Sequence, residues 1–361
     1  MTVLQATVQL IRDASAAAEV TPTLRARWAQ RLRDLFADRW QVPAANVDVR
    51  IPRRLRVGAG GRMLRGLVRA ADHTAAVRIK WCPQADPVAI EASVVNQRWW
   101  RGWNSPLAAA IPETLAGWTD DRVLVIEERP GLPLDAADER LDVVQRLAAW
   151  MRTYAHATPP ASPELQARLG SAVRLNDDRQ LTVDAHALLK LRVSAAEAAA
   201  DELQQLGFAA AQSWRQRFDV ESLLAASTAP QPAGFVHGDF KPGNVLVTDR
   251  DFSIIDWWVS PCVSWPLTDV ATFAGNLWLM NTLSAGRVWD AFARTYYPAS
   301  IDPTTAVMLD LIATTMCLGF LARRVRHPAC HLLERRRCGQ TLTRLIDTKT
   351  CIGALENESG R

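Results

Sequence analysis

The stretch FVHGDFKPGNVLV, residues 235–247, places His237, Asp239, Lys241 and Asn244 within eight positions, just before an apolar run. Two glycines and a proline interrupt it, so the polar groups fall in a loop and the apolar run in a strand. A loop carboxylate such as Asp239 can accept, or at least aim, the proton of an incoming hydroxyl. Asn244, five residues on, offers a neutral amide oxygen to a metal ion. The stretch NVLVTDRDFSIID then reads as a hairpin of two short strands around TDRD, and its far end carries Asp256 as a second oxygen ligand. Two oxygen ligands for Mg2+, a cation for the phosphates and a carboxylate for the hydroxyl are what phosphoryl transfer asks of a protein, because that chemistry is mostly positioning and charge screening. An acid closing an apolar strand is equally a helix or turn cap when taken alone. The company of His237, Gly238, Asp239 and Asn244 gives Asp256 its chemical reading.

The rest of the chain must position these groups. Residues 1–48 read as helical, with apolar spacing in VQLIRDASAAAEV and LRARWAQRLRDLFADRW and prolines at 22 and 43 as punctuation. They form an N-terminal extension, read as a cap on the residues after it in preference to a dimerisation helix. Residues 49–128 change texture. RRLRVGAGGRMLRGLVRA gives two strands around a glycine-rich turn, and TAAVRIKW gives a third strand. A helix comes next, from Asp86 as N-cap and Pro87 at its first position, and AIPETLAG and RVLVIEE give two more strands. The expectation is α+β: a small antiparallel sheet with one helix. RPGLPLD connects it to a larger, mainly helical part over 129–361, interrupted by the hairpin at 244–256.

Composition bounds the alternatives. The chain has 361 residues, nearly half of them apolar, enough for a large two-part unit with a real core. A formal charge of +4 on that length is no nucleic-acid stripe, so no nucleic acid is expected as partner. Six cysteines without paired spacing read as free thiols of a reducing cytoplasm. His327, Cys330, His331 and Cys338 invite a zinc reading, but the usual Cys-x2-Cys half is missing and an exposed basic helix accounts for the stretch. The opening residues lack the basic start and apolar block of a secretory signal. The longest apolar stretch, MLDLIATTMCLGFLA, contains Asp310 and falls short of the ~20 residues that cross a bilayer, so it reads as a buried helix and no membrane span is expected.

HGDFKPGNVLV followed by IIDWW resembles the motif of the aminoglycoside phosphotransferase and choline kinase superfamily, which shares the bilobal protein-kinase-like fold. The pattern His-Gly-Asp, four residues, Asn, hydrophobic strand, Asp is met at His237, Gly238, Asp239, Asn244 and Asp256. The resemblance implies a catalytic-loop role for Asp239, metal binding by Asn244 and Asp256, and a bracing role for His237. It implies further that Lys80, at the end of the third strand, grips the nucleotide phosphates and pairs with Glu91 on the next helix. Backbone groups near Glu127 and Glu128 would receive the purine, His156 would be structural, and Asp269 would brace the catalytic loop. The glycines of VGAGGRM, Gly58, Gly60 and Gly61, depart from the protein-kinase pattern; they would let backbone amides approach phosphate, or serve only as a hairpin turn. The co-substrate is ATP or GTP with Mg2+, and the resemblance spans about 51–285.

The acceptor is a small molecule with a hydroxyl. A polycationic aminoglycoside would want clustered carboxylates and choline an aromatic cage, whereas the last ninety residues lean basic in ARRVRH and ERRRC. That leaves room for a neutral sugar, an anionic metabolite or a lipid-linked sugar. Trp257, Trp258, Trp265 and Trp278 come soon after Asp256 and could floor a sugar site, although core packing accounts for at least two of them. Two alternatives share the pattern: an atypical protein kinase, against which stands the short interval between Asp256 and Asp269, and a pseudokinase-type regulatory module, which would usually have lost one of the key residues.

Overall fold

Burial alternates along MLRGLVRA, one strand of the longest pairing among the described residues. In the computed structural model this strand is β3 (Gly61–Ala70), antiparallel to β4 (His73–Trp81), with Met63 opposite Lys80 and Gly66 opposite Val77. The structure describes residues 20–52, 56–58, 61–83, 85–88, 90–91, 94, 101, 105–134, 140–157, 173–175, 180–257, 263–280, 283–299, 301–327, 330 and 332–347. The chain divides into two compact units, one holding the described residues up to Ala108 with Pro112–Arg129, the other Ala109–Ile111 with the residues from Pro130 onward.

The first unit is a six-stranded antiparallel sheet. β1 (Asp48–Arg50) and β2 (Arg56–Gly58) lie in succession along one edge of β3, and β5 (Thr114–Trp118) and β6 (Val123–Glu127) join β4 in the order β1-β3-β4-β6-β5. Period-two alternation separates two faces. Val123 and Val125 join Val77 and Ile79 in one buried cluster, whereas Leu124 joins Ile90 and Val94 in another, with Ile126 packed against it. Ile90 and Val94 belong to the helix that starts after Asp86, whose carboxylate accepts from the Val88 N–H at 2.9 Å. Gly117 leaves room for them: a Cβ there would stand 2.6 Å from the Val94 side chain.

The other face is covered by α1 (Pro22–Trp40). Thr21 caps the Leu24 N–H at 3.1 Å and Pro22 supplies the preset first turn. Trp28, Leu32 and Phe36, four apart and so on one stripe, are almost fully buried among the sheet residues. Trp28 donates its indole N–H to the buried Asp121 at 3.0 Å, and Arg27 and Arg31 pair with the same carboxylate. The acid is therefore paired rather than stranded. The opening helical residues thus share a core with the sheet.

The second unit is mainly helical: α2 (Leu141–His156), α3 (Ala185–Gln205), α4 (Leu267–Met280), α5 (Leu283–Tyr296), α6 (Pro303–Arg326) and α7 (Leu332–Asp347). α6 packs on α3 and α4, and α5 on α2. The apolar stretch expected to be too short for a membrane lies in a helix of 24 residues, long and apolar enough to cross one by length and composition. The helix outgrows the apolar block because Asp302 and Pro303 start it five residues earlier and the arginine run continues it. Sixty-seven per cent of its apolar window is buried inside the unit, and Asp310 is paired with Arg217 at 3.3 Å. Of the residues that invited a zinc reading, His331 lies outside the described set, and among the described residues no three metal-ligating side chains gather.

Trp28→Ala removes the largest fully buried side chain of α1 from the first unit's core and leaves Asp121 short of a donor. Its cost is about 3–5 kcal/mol, read as a lowered urea midpoint of the intact chain. A change below ~0.5 kcal/mol would show α1 to be dispensable to the sheet.

Candidate active site

Both ends of the loop that carries His237, Asp239 and Asn244 are tied into strands. β7 (Leu132–Pro133) and β10 (Phe252–Ile254) flank β9 (Val245–Val247), and β8 (Gly234–Phe235) pairs with β11 (Val263–Ser264). Between β8 and β9 runs the segment 236–244, whose side chains alternate between anchor and function. His237 and Phe240 point inward and are buried, whereas Gly238 is exposed and Asp239 half-exposed. Phe240 enters an aromatic stack with Phe273 of α4 and Phe292 of α5, ring centroids 5.2 and 6.4 Å away. Gly238 has φ +84 with nothing near its missing Cβ, so it is glycine for its backbone angle and not for space.

Two buried groups hold the loop from beneath. Asp269, third residue of α4, accepts the backbone N–H of His237 on one carboxylate oxygen and that of Gly238, at 2.9 Å, on the other. Burial raises its carboxyl to about 7, while the two N–H donors act in the opposite direction. His237 spans the hairpin. Its Nδ1 accepts from the Asp239 N–H at 3.2 Å, which leaves Nε2 to carry the proton and donate to the Ile255 carbonyl at 2.9 Å. Burial drives this imidazole down to about 4, against the pull of Asp239 and Asp256, so it is neutral near pH 7. Trp257 lies 4.4 Å from it, centroid to centroid, and Tyr154 of α2 packs edge-on against Trp257 and donates its hydroxyl to the Val236 carbonyl at 3.2 Å.

Above this floor the functional groups meet. Asp239 Oδ2 accepts from Lys241 Nζ at 2.6 Å and from Asn244 Nδ2 at 3.1 Å, and Asn244 Nδ2 also reaches the Asp239 carbonyl at 2.9 Å. Among the described residues nothing donates to Asp239 Oδ1 or Asn244 Oδ1. Asp256 lies just past β10. The Ile255 N–H donates to the Asn244 carbonyl at 2.8 Å, tying the residue before Asp256 to Asn244 across the hairpin. Asp256 adopts φ +62, a left-handed conformation that a non-glycine residue holds only where its surroundings impose it. An amide oxygen with its own N–H2 tied back, together with a carboxylate beyond it, is an all-oxygen donor set that fits a hard cation such as Mg2+.

The other expected residues occupy varied positions. Lys80 is buried on β4 between Met63 and Leu124, while Glu91 is exposed, and no ion pair joins the two. Gly58 and Gly61 face each other in the antiparallel register of β2 and β3, and Gly60 lies outside the described residues. The Glu127 N–H donates to the Glu113 carbonyl and the Glu128 N–H to the Ala76 carbonyl, so these two backbone donors are spent within the first unit. Their side chains are engaged as well, Glu127 by Arg129 and Glu128 by Arg65 and Arg78. His156 is exposed at the end of α2. Trp265 and Trp278 are core residues, Trp257 belongs to the loop's floor, and Trp258 lies outside the described residues. Lys241 received no role in the sequence reading, although a lysine two positions after the loop aspartate was the signal for it. Arg192 on α3 was missed altogether, since nothing in LLKLRVSAAEAAA sets it apart.

An antiparallel sheet unit followed by a helical unit with this loop and hairpin is a kinase-like fold. The chain belongs to the phosphotransferase enzyme family, whose model matches residues 75–303, and it is a phosphotransferase of that family. Among solved structures it is similar to an ethanolamine kinase of Plasmodium vivax, at 10% identity over 99% of this chain and 96% of that one with a TM-score of 0.56. It is also similar to a thermostable mutant of the aminoglycoside phosphotransferase APH(4)-Ia, at 16% identity over 88% of this chain and all of that one with a TM-score of 0.51. At such identities these likenesses concern the fold alone. A search of curated proteins finds no match.

The neutral His237 sets a pH dependence. The unfolded imidazole takes up its proton near 6.5 and the folded one only near 4, so the stability it contributes is complete above 6.5 and is lost as pH falls between the two. Asp269, raised by burial, acts with the opposite sign, so the comparison is made by difference. The stability of wild type over His237→Gln should be greatest above pH 6.5 and shrink toward pH 4 by an amount on the order of 3 kcal/mol, read by thermal unfolding across that range. A gap independent of pH would mean the imidazole is not buried neutral.

Proposed function

We propose that the chain transfers the γ-phosphoryl group of ATP or GTP to a hydroxyl of a small molecule, with Asp239 as the base. The observation that supports this most directly is the tie of Lys241 and Asn244 to one oxygen of Asp239, on a loop fixed by Asp269. With Oδ2 so occupied, Oδ1 is the atom turned to the acceptor: it takes the hydroxyl proton as the oxygen attacks phosphorus, and gives it up to solvent after the product leaves. Lys241 places a positive charge beside the base, where charge moves during transfer, and so steadies both the carboxylate and the passing phosphoryl group. Asn244 Oδ1 and the Asp256 carboxylate would hold Mg2+, whose contribution is to screen the phosphate charge and orient it. His237 and Asp269 keep the loop in shape and touch no reactant.

In this reading residues 49–128 serve the nucleotide and 129–361 carry the catalytic loop and acceptor side, with residues 1–48 as a cap. Lys80 would hold the nucleotide phosphates and Glu91 would move to meet it when nucleotide binds. Gly58, Gly60 and Gly61 would offer backbone amides to phosphate. With the N–H groups of Glu127 and Glu128 spent, the purine would be read by carbonyls there or by residues beyond. The free thiols of Cys82, Cys317, Cys330 and Cys338 suit a cytoplasmic setting.

Release of nucleotide diphosphate, measured over a panel of aminoglycosides, macrolides, amino alcohols, sugars and their acidic derivatives, tests the activity and finds the acceptor. On the best acceptor, Asp239→Asn should lower kcat by ~10²–10⁴ with nucleotide affinity kept. Asp256→Ala should abolish both turnover and Mg2+-dependent nucleotide binding. Near-normal rates in both variants would place the chemistry elsewhere.

A further inference from the structure

The second unit contains a cavity of about 350 Å³ between α3 and α6. Its charged lining is Arg192 and Glu202 from α3 and Arg323 and Arg326 from α6, and the rest of the wall is alanine, glycine, Thr315 and Met316. The three arginines are not equivalent. Arg326 is held by Glu202 through two donors, which engages both oxygens of the one acid in the lining. Arg192 and Arg323 make no hydrogen bond or ion pair with any described residue. Arg192 is also half-buried, and burial lowers its guanidinium below the ordinary value. The carboxylate of Asp269 acts in the opposite direction on it.

A guanidinium stays charged at any physiological pH and presents its donors as a flat fork that matches carboxylate or phosphate. Two such forks, Arg192 half-buried and Arg323 exposed, line one cavity without a protein partner among the described residues, so their donors are left to water or to an anion. Small side chains around them leave room for a ligand group of several atoms. We propose that this cavity receives a phosphate or carboxylate group carried by the acceptor, so that the substrate is a hydroxyl compound bearing an anion. The anion site stands on Arg192, Arg323 and the cavity alone, while its assignment to the acceptor rests on the proposed kinase activity. The same charge disfavours a polycationic acceptor in this position.

Inorganic phosphate titrated calorimetrically into the full chain, against chloride at matched ionic strength, probes the site directly. Wild type should bind phosphate, and Arg192→Gln/Arg323→Gln should weaken binding roughly tenfold per arginine or more. Ala198→Phe, at an exposed rim position, fills the cavity while keeping both arginines and should weaken binding as well. Lack of phosphate binding by wild type, or binding that survives both variants, overturns the site. Diphosphate release with sugar phosphates and hydroxy acids, compared with their uncharged counterparts, tests the acceptor assignment. The expected result is a preference for the anionic compounds that Arg192→Gln removes through a raised KM rather than a lowered kcat. Phosphate binding together with a preference for uncharged acceptors overturns that assignment. Phosphate binding with no diphosphate release from any acceptor overturns the kinase reading, and the assignment with it, while upholding the anion site.

Discussion

The carboxylate of Asp269 accepts two consecutive backbone N–H groups, those of His237 and Gly238, in a place with almost no access to water. Consecutive amides can point at one carboxylate only if the chain turns sharply between them, and Gly238 supplies the positive φ that the turn needs. Without the acid, the buried His237 N–H would lose its partner at a cost of about 1–3 kcal/mol, and the more accessible Gly238 N–H would lose its own. Without the turn, the charge would be buried with nothing to meet it, which is worse. Loop and helix therefore hold each other in one conformation, and that conformation puts Asp239 on the accessible side.

Chain geometry sets the other positions from that constraint. Once Gly238 is fixed, alternation turns Phe240 into the aromatic stack of α4 and α5 and leaves Asp239 and Lys241 facing out. Pro242 starts the short 3-10 turn that carries Asn244 back under Asp239. The β9–β10 hairpin then returns the chain, and the Ile255 N–H meets the Asn244 carbonyl, so Asp256 emerges beside Asn244 although twelve residues separate them in sequence. His237 closes the ring by bonding Ile255 from below. Each bond is a modest one, worth about 1 kcal/mol net, but each removes a freedom that the others would leave.

The charges of the second unit are sorted by partner. Asp310 has Arg217, Glu202 has Arg326, and Asp239 has Lys241. Arg192 and Arg323, both lining one cavity, have no such partner among the described residues. A net charge of +4 spread over the whole chain says little about partners. Two unpaired guanidiniums in one concave site say much more, because the field of a charge depends on what stands next to it and on how much water it keeps.

The order of residues alone determined the local motifs. The strands β3, β4 and β6, the Asp86-Pro87 helix start, the hairpin after Asn244 and the spacing His237, Asp239, Asn244, Asp256 are all short-range patterns that a linear reading detects. The partners of the Glu127 and Glu128 N–H groups, by contrast, were not legible: the Glu113 and Ala76 carbonyls take them, and strand pairing between distant segments decides that. The same holds for the exposure of Glu91, and for the full length of α6, where a cap and an arginine run extend an apolar block that looked short. It holds most of all for Arg192, one arginine among many until folding places it on a cavity wall without a partner among the described residues. Periodicity and spacing are properties of neighbours in the chain. Pairing and burial are properties of neighbours in space, and only the folded chain supplies those.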